Sequence, residues 1–201
     1  MTPHIHVLDP FVANQIAAGE VVERPASVVK ELLENSIDAG AQRIRIEIEH
    51  GGLQRISVQD DGTGIAVEDL PLALAPHATS KLTVLEDLDL GHTLGFRGEA
   101  LASISAVAKV SLASRLSDQP VGYRLDKDHR RQEAIVPVPM PPGTRIDVAE
   151  LFASVPARLK AMKSPAAEWA AIQTVVQQFA IGYPDIAVHL VHDGRSVLNT
   201  S

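Results

Sequence analysis

The chain has 201 residues, of which 45% are hydrophobic and 21% are charged, and its formal net charge is −7. This aliphatic content predicts a folded protein rather than a disordered one, and the lack of cysteine excludes disulfides, thiolate metal sites and cysteine nucleophiles. The acidic balance argues against binding by broad attraction to phosphate, and neither a membrane-length apolar stretch nor a signal segment is present, so we expect a cytoplasmic protein.

The first predicted elements are a helix and two strands. Residues 25–39 form the helix, because Pro25 suits a first turn and Gly40 suits the left-handed position after the last turn. In 43–50 isoleucine alternates with charged residues, which is the period of a strand with one buried face. A second strand then ends in the sequence DDGTG at 60–64, where functional loops are often found.

The rest of the chain predicts helices interspersed with hairpins. A mobile flap with a short helix at 67–76 is followed by a helix at 99–108, strands at 109–116, 121–126, 133–138 and 144–149, a helix at 166–182 and strands at 186–192 and 195–200. This order predicts an α+β fold, with a mixed sheet and helices on one of its faces.

Three polar residues share one stripe of the first predicted helix. At about 100° per residue, Glu31, Asn35 and Asp38 project from the same side. A carboxylate and a carboxamide one turn apart can serve as a general base for water and as an oxygen ligand for Mg²⁺. The alternative, and the commoner meaning of such a stripe taken alone, is a solvated polar face.

The loop at 60–64 has the residues to hold a flat ligand. Asp60 could accept a hydrogen bond from the exocyclic amine of a purine, while Gly62 and Gly64 leave room for a base against the backbone. An Asp-Gly turn held by its own side-chain bonds is the open alternative.

Further segments suit phosphate or a base edge. The loop 95–101 runs into a helix N-terminus, which favours an anion, although a plain helix start is equally consistent. The hydroxyls and cation of 79–81 suit phosphate or ribose, or else form a polar turn. Thr144 could bond a base edge or simply satisfy the sheet, and the run that includes Arg158 and Lys163 could contact DNA, or form a surface helix turn.

Several common sites are missing from the sequence. There is no P-loop, no complete dinucleotide fingerprint, no paired zinc-ligand spacing and no serine-hydrolase elbow. If the protein binds a nucleotide, it therefore does so in another way.

Five segments in chain order resemble the GHKL ATPases, the superfamily that includes gyrase and the histidine kinases. They are ELLENSIDAG at 31–40, DDGTG at 60–64, HATSK at 77–81, GFRGEAL at 95–101 and PGT at 142–144. Within that superfamily, residues 14–41 together with HATSK and GFRGEALASIS resemble the MutL family of DNA mismatch repair proteins. The resemblance covers nearly the whole chain and implies a Bergerat-type fold in one ATP-binding domain over 1–201, as a piece of a longer protein.

The resemblance also implies a role for each motif. Glu31 would be the general base in ATP hydrolysis and Asn35 the Mg²⁺ ligand. Asp60 would bind the adenine amine, and Thr144 would support the base through water. The other residues implied to contact the nucleotide are Asp38, Gly62, Gly64, Thr79, Ser80, Lys81, Gly95, Phe96, Arg97, Gly98, Glu99, Ala100 and Leu101.

The partners implied by the resemblance are those of mismatch repair. They are ATP with Mg²⁺, the mismatch-recognition protein MutS, a downstream repair nuclease or helicase, and DNA contacted weakly through the longer protein. ATP binding would order a lid and promote dimerisation through the segment before Pro25, with these 201 residues monomeric alone. Hydrolysis would be very weak, because the family's lysine from a following domain has no match before Ser201.

Two alternatives stay open at this point. One is a different GHKL class, such as a topoisomerase subunit or a chaperone, and the other is a non-catalytic interaction module. The sequence also departs from the MutL family at Ala153, Ser154 and Val155, where that family has an aromatic residue, an asparagine and a threonine.

Overall fold

The computed structural model describes residues 9, 15–16, 18–19, 21–76, 100–128 and 131–200. All structural statements below concern these residues. The predicted site residues Thr79, Ser80, Lys81, Gly95, Phe96, Arg97, Gly98 and Glu99 lie outside them, as does most of the predicted flap.

The helix predicted at 25–39 is confirmed as α1, which spans Pro25–Asp38. Pro25 occupies its first turn, where the missing N–H has no intrahelical partner to lose, and Gly40 takes a φ of +70° after the last turn. One side of the helix is buried through Val28, Leu32 and Leu33. The core therefore holds this side of the helix, backbone hydrogen bonds close its C-terminus, and no side-chain hydrogen bond caps its N-terminus at Arg24.

Nine strands of the described residues form one mixed sheet. They are β1 Arg43–Glu49, β2 Arg55–Asp60, β3 Lys109–Arg115, β4 Gly122–Asp128, β5 Arg131–Gln132, β6 Val136–Val138, β7 Gly143–Ala149, β8 Ala187–His192 and β9 Arg195–Thr200. The order is β5-β4-β3-β7-β2-β1-β8-β9, and β6 also pairs with β4. Only the β1–β8 pair is parallel, so the predicted mixed sheet is confirmed.

The strand predicted at 133–138 differs from the structure. Within that range the structure has the three-residue strand β6, which pairs with β4 at the margin of the sheet, and β5 precedes the range. Pro137 has no N–H to donate to a ladder, which restricts this stretch to a short edge strand.

The other helices are α2 Leu70–Ala73, α3 Ala100–Val107, α4 Pro156–Ala161 and α5 Pro165–Gly182, with 3₁₀ turns at His50–Gly52 and Val67–Asp69. The helix predicted at 67–76 is thus a 3₁₀ turn followed by a single α-helical turn. The helix predicted at 166–182 is confirmed within one residue, and the helix predicted at 99–108 is confirmed over Ala100–Val107, with Glu99 outside the described residues. None of the described helices is long and apolar enough to cross a membrane.

The core lies between the helices and one face of the sheet. Ile44, Ile46 and Ile48 of β1 are fully buried there, and α1 contacts both β2 and α5. Charged side chains alternate with these isoleucines and lie on the opposite face, where Arg55 pairs with Glu49 and Asp147. The period-two pattern of the sequence therefore assigns the faces of the sheet correctly.

Candidate functional site

Three polar side chains lie in one row across the adjacent strands β2, β7 and β3, at one end of these strands. Asp60 of β2 is opposite Thr144 of β7, and Thr144 is opposite Ser114 of β3. Residues opposite each other on adjacent strands point to the same face. The next row on that face is apolar and buried, with Val58 opposite Ile146, so the three polar residues face the helices.

Asp60 is fixed by three hydrogen bonds from three different elements. Its Oδ1 accepts from the backbone N–H of Gly62 at 2.9 Å and of Thr144 at 3.3 Å. Its Oδ2 accepts from the hydroxyl of Ser36 on α1 at 3.1 Å. Burial raises the pKa of Asp60 above the ordinary aspartate value, against the opposing effect of these hydrogen bonds. The result is a rigid acceptor at the end of β2.

The adjacent Asp61 has a different task. Its Oδ1 accepts from the backbone N–H groups of Gln42 and Arg43, both at 2.8 Å. These bonds fasten the loop after β2 to the beginning of β1. Of the acidic pair, only Asp60 therefore lies in the polar row.

Two glycines allow the loops around Asp60 to approach one another closely. Gly64 has a φ of +80°, and a Cβ there would collide with the carbonyl of Arg115. Gly143 has a φ of +118°, and a Cβ there would collide with the carbonyl of Asp60. The Asp-Gly turn considered as an alternative is present, since Gly62 bonds Asp60. The binding of a base by this loop stays a prediction.

The polar stripe of α1 flanks Ser36, the helix residue that donates a hydrogen bond to Asp60: Glu31 and Asn35 precede Ser36, and Asp38 follows it. Asn35 is the preceding residue and is partly buried, as is Glu31 one turn earlier, whereas Asp38 is exposed. The contact of Ser36 with Asp60 places this part of the helix over the end of β2. The structure thus brings the Glu31–Asn35 stripe and the Asp60 loop to the same end of the sheet.

Two further residues of the predicted set lie on α3. Ala100 is the first described residue of the helix, and Leu101 packs against the core. The described part of the helix thus begins inside the segment 95–101 that is predicted to bind phosphate, and the other members of that segment lie outside the described residues.

Two residues of the site have no signature in the sequence. Ser36 looks like one more polar residue of a helix, although it is buried and holds Asp60. Ser114 looks like any small residue of an alternating strand, but its hydroxyl lies within hydrogen-bond distance of Ile65 N, Gly143 O and Thr144 Oγ1. Only the strand order, which places β3 beside β7, could have identified Ser114.

The basic run at 158–163 does not act as one surface. The guanidinium of Arg158 donates to the carbonyls of Val22 and Gly19, both at 2.6 Å, and lies 5.6 Å from the ring centre of Phe152. Lys160 and Lys163 are exposed. Arg158 therefore bonds the backbone of another segment and is not the solvated residue that a plain surface turn would have, while DNA contact by this run stays a prediction.

Comparison with known proteins gives a consistent result. A family model described as histidine kinase-, DNA gyrase B-, and HSP90-like ATPase matches residues 23–155. The chain is 50% identical to the DNA mismatch repair protein MutL of Pseudomonas aeruginosa over 98% of its own length, and 53% identical to that of Azotobacter vinelandii over 96%. It spans 31% and 30% of the length of those relatives.

Solved structures give the same match. The Aquifex aeolicus MutL ATPase domain complexed with ADP aligns with a TM-score of 0.75 and 31% identity, over 90% of this chain and 65% of that one. A structure described as the N terminal domain of a DNA repair protein aligns with a TM-score of 0.78 and 31% identity, over 94% and 56%.

Proposed function

Because the chain belongs to the histidine kinase-, DNA gyrase B- and HSP90-like ATPase family, we propose that residues 1–201 are the ATP-binding and ATP-hydrolysing domain of a DNA mismatch repair protein. The observation that carries the proposal is the fixed carboxylate of Asp60, which lies under α1 between two glycine-containing loops. A buried acceptor of this kind suits the exocyclic amine of adenine, because it is held in place before the base arrives.

In the proposed reaction, a water molecule attacks the terminal phosphorus of ATP and ADP leaves. Glu31 takes the proton of that water at a carboxylate oxygen, while Asp60 holds the adenine end of the nucleotide. Phosphoryl transfer asks little covalent chemistry of a protein, so alignment of the water and the nucleotide is the main task. Placing both residues around one short stretch of α1 and the end of β2 supports that alignment.

The donor set fits Mg²⁺. The described residues contain no group of three or more His, Cys, Asp or Glu that could hold a metal ion with protein ligands alone. Mg²⁺ commonly uses one or two protein oxygens together with phosphate oxygens, and it neutralises charge on the phosphates. The carboxamide oxygen of Asn35, beside the Ser36–Asp60 contact, is the protein ligand we propose.

We also propose the partners that mismatch repair implies for the longer protein. These are MutS, a repair nuclease or helicase, weak DNA contact, and a homodimer that forms when ATP orders a lid, all in the cytoplasm. The identity to MutL proteins over almost the whole chain supports this assignment above a topoisomerase or chaperone class.

Two substitutions test the function. Glu31→Ala should retain ATP binding and reduce hydrolysis by about 10²- to 10⁴-fold, because the general base is removed. Asp60→Ala should abolish binding. Calorimetric titration measures binding, and single-turnover assays with labelled ATP detect slow hydrolysis.

Glu34→Ala is the matched control. Glu34 lies on the same helix, pairs with Lys30 at 3.7 Å and belongs to no part of the proposed site, so both binding and hydrolysis should be unchanged. Unchanged hydrolysis in Glu31→Ala would favour a non-catalytic interaction module. Normal ATP binding by Asp60→Ala would refute the adenine assignment.

A further inference from the structure

We propose that Ser114 is a positioning residue that turns the hydroxyl of Thr144 into a hydrogen-bond acceptor, and thereby makes the site prefer a 6-amino purine over a 6-oxo purine. The inference deepens the proposed function and rests on it. It starts from the hydroxyl of Ser114, which lies where β3, β7 and the loop after β2 meet.

The hydroxyl of Ser114 has three partners. Its Oγ lies 2.8 Å from the backbone nitrogen of Ile65, 2.9 Å from the carbonyl oxygen of Gly143 and 3.0 Å from Oγ1 of Thr144. Ser114 is only 2% exposed, so water cannot substitute for these partners without a change in the fold. The contacts join the loop after β2 to the beginning of β7.

The direction of each bond follows from the chemistry of the groups. A hydroxyl has one proton to donate and two lone pairs that accept. The carbonyl of Gly143 can only accept, so it receives the proton of Ser114. The N–H of Ile65 can only donate, and it occupies one lone pair. The other lone pair is left for Thr144, which must therefore donate its own proton to Ser114.

This arrangement leaves the hydroxyl oxygen of Thr144 able to accept further hydrogen bonds but unable to donate one. Its proton is committed to Ser114, and its backbone N–H is committed to Oδ1 of Asp60. Thr144 is 6% exposed, which prevents free rotation of the hydroxyl into solvent. Asp60 and Thr144 thus present acceptors side by side at the end of the sheet.

A row of acceptors discriminates between purines. The amine at C6 of adenine donates to such a row, whereas the carbonyl oxygen at C6 of hypoxanthine is repelled by it. Specificity of this kind arises from the unfavourable pairing with the wrong ligand as much as from the favourable pairing with the right one. Without Ser114, Thr144 could rotate and donate to a 6-oxo group.

The test compares ATP with inosine triphosphate, which carries the 6-oxo group, by calorimetric titration of the 201-residue chain. The parent chain should prefer ATP. Ser114→Ala should lower the ratio of the two affinities by about tenfold, which is the size of one hydrogen-bond preference. Ser114→Thr keeps a hydroxyl at the same place and should restore the ratio.

The outcomes separate positioning from general support. If Ser114→Ala weakens both nucleotides equally and keeps their ratio, the residue is merely structural and the inference is wrong. If Ser114→Ala does not fold, Thr144→Val gives the answer, because it leaves both backbone partners of Ser114 intact; an unchanged ratio in that variant would overturn the inference. A parent chain that binds both nucleotides equally overturns it too, and one that binds neither overturns the proposed function with it.

Discussion

Asp60 and Asp61 show how strand alternation assigns tasks to neighbouring residues. The two side chains are chemically identical, but Asp60 continues the helix-facing side of β2, whereas Asp61 turns away and bonds the backbone of Gln42 and Arg43. Asp60 is the one whose ionised form is disfavoured by burial, and it is the one proposed to bind the base. The cost of desolvating that carboxylate is borne by the fold before any ligand binds.

This cost predicts a pH-dependent effect of Asp60→Asn. The asparagine oxygen can keep the N–H groups of Gly62 and Thr144, and its amide can donate to Ser36, whose own proton can go to the carbonyl of Leu32 at 3.1 Å. The variant should therefore fold, with a thermal midpoint at pH 7 equal to or above that of the parent. It should no longer bind ATP.

The sign of the pH effect follows from the raised pKa of Asp60. Because the pKa is higher in the folded state than in the unfolded state, the contribution of Asp60 to stability is complete below the ordinary value of 3.8 and is lost as the pH rises through the folded pKa. The excess of the thermal midpoint of Asp60→Asn over that of the parent should then shrink as the pH is lowered toward 3.8. Thermal unfolding without nucleotide measures it, with Asp118→Asn at an exposed turn as the baseline, and an advantage that grows on acidification would contradict the argument.

At the scale of elements, the segment that precedes α1 is held by two arginine contacts, one made by its own Arg24 and the other by Arg158 of α4. Arg24, just before the helix, donates to the carboxylate of Glu168 in the first turn of α5 at 2.9 and 3.0 Å. Glu168 also accepts from the backbone N–H of Lys163, and it is 2% exposed. The beginnings of α1 and α5 are thus joined through one buried carboxylate.

Glu168→Ala should destabilise the fold by about 2 kcal/mol. Removing one partner of a buried ion pair leaves the other charge and the N–H of Lys163 uncompensated, and the value is reduced because Arg24 is 34% exposed. Urea unfolding measures the change. Glu23→Gln, an exposed carboxylate next to Arg24, is the control and should be neutral. A neutral Glu168→Ala would mean that the pair contributes little.

Arg158→Ala should also destabilise the chain, by about 2 kcal/mol, since it removes two charge-assisted hydrogen bonds to the carbonyls of Gly19 and Val22. Hydrogen exchange should report loss of protection at the amide of Val22, which bonds the carbonyl of Ala18. Lys160→Ala, at an exposed position of α4, should change neither quantity. Unchanged stability of Arg158→Ala would return this arginine to the candidates for DNA contact.

The elements themselves were predictable where the information is local. The period of two in β1, the proline and glycine at the ends of α1, and the Asp193-Gly194 turn between β8 and β9 each specify an element from its own residues. The order of strands depends on pairing between distant segments, so the insertion of β7 between β2 and β3 was not predictable. The same is true of Glu168, because a charged residue on a helix is usually exposed.

At the scale of the whole molecule, the candidate site belongs to no single element. Glu31 and Ser36 come from α1, Asp60 from β2, Ser114 from β3 and Thr144 from β7. The chemical types were predictable from the motifs at 31–40, 60–64 and 142–144, whereas Ser36 and Ser114, which fix the geometry, were not. A ligand bound here would connect the helical layer to three strands of the sheet, and unfolding of any of them would release it.

This arrangement predicts that Mg-ATP stabilises the whole chain. A ligand that binds only the folded state at about 100 times its Kd adds about 2.7 kcal/mol to the free energy of unfolding. For a chain of this size the thermal midpoint should rise by about 5 to 10 °C, which differential scanning fluorimetry measures directly. Asp60→Ala should show no rise, and removal of Mg²⁺ with a chelator should reduce the rise in the parent. A midpoint that millimolar Mg-ATP leaves unchanged would show that these four elements do not form a nucleotide site, because binding to the folded state alone must shift the unfolding equilibrium.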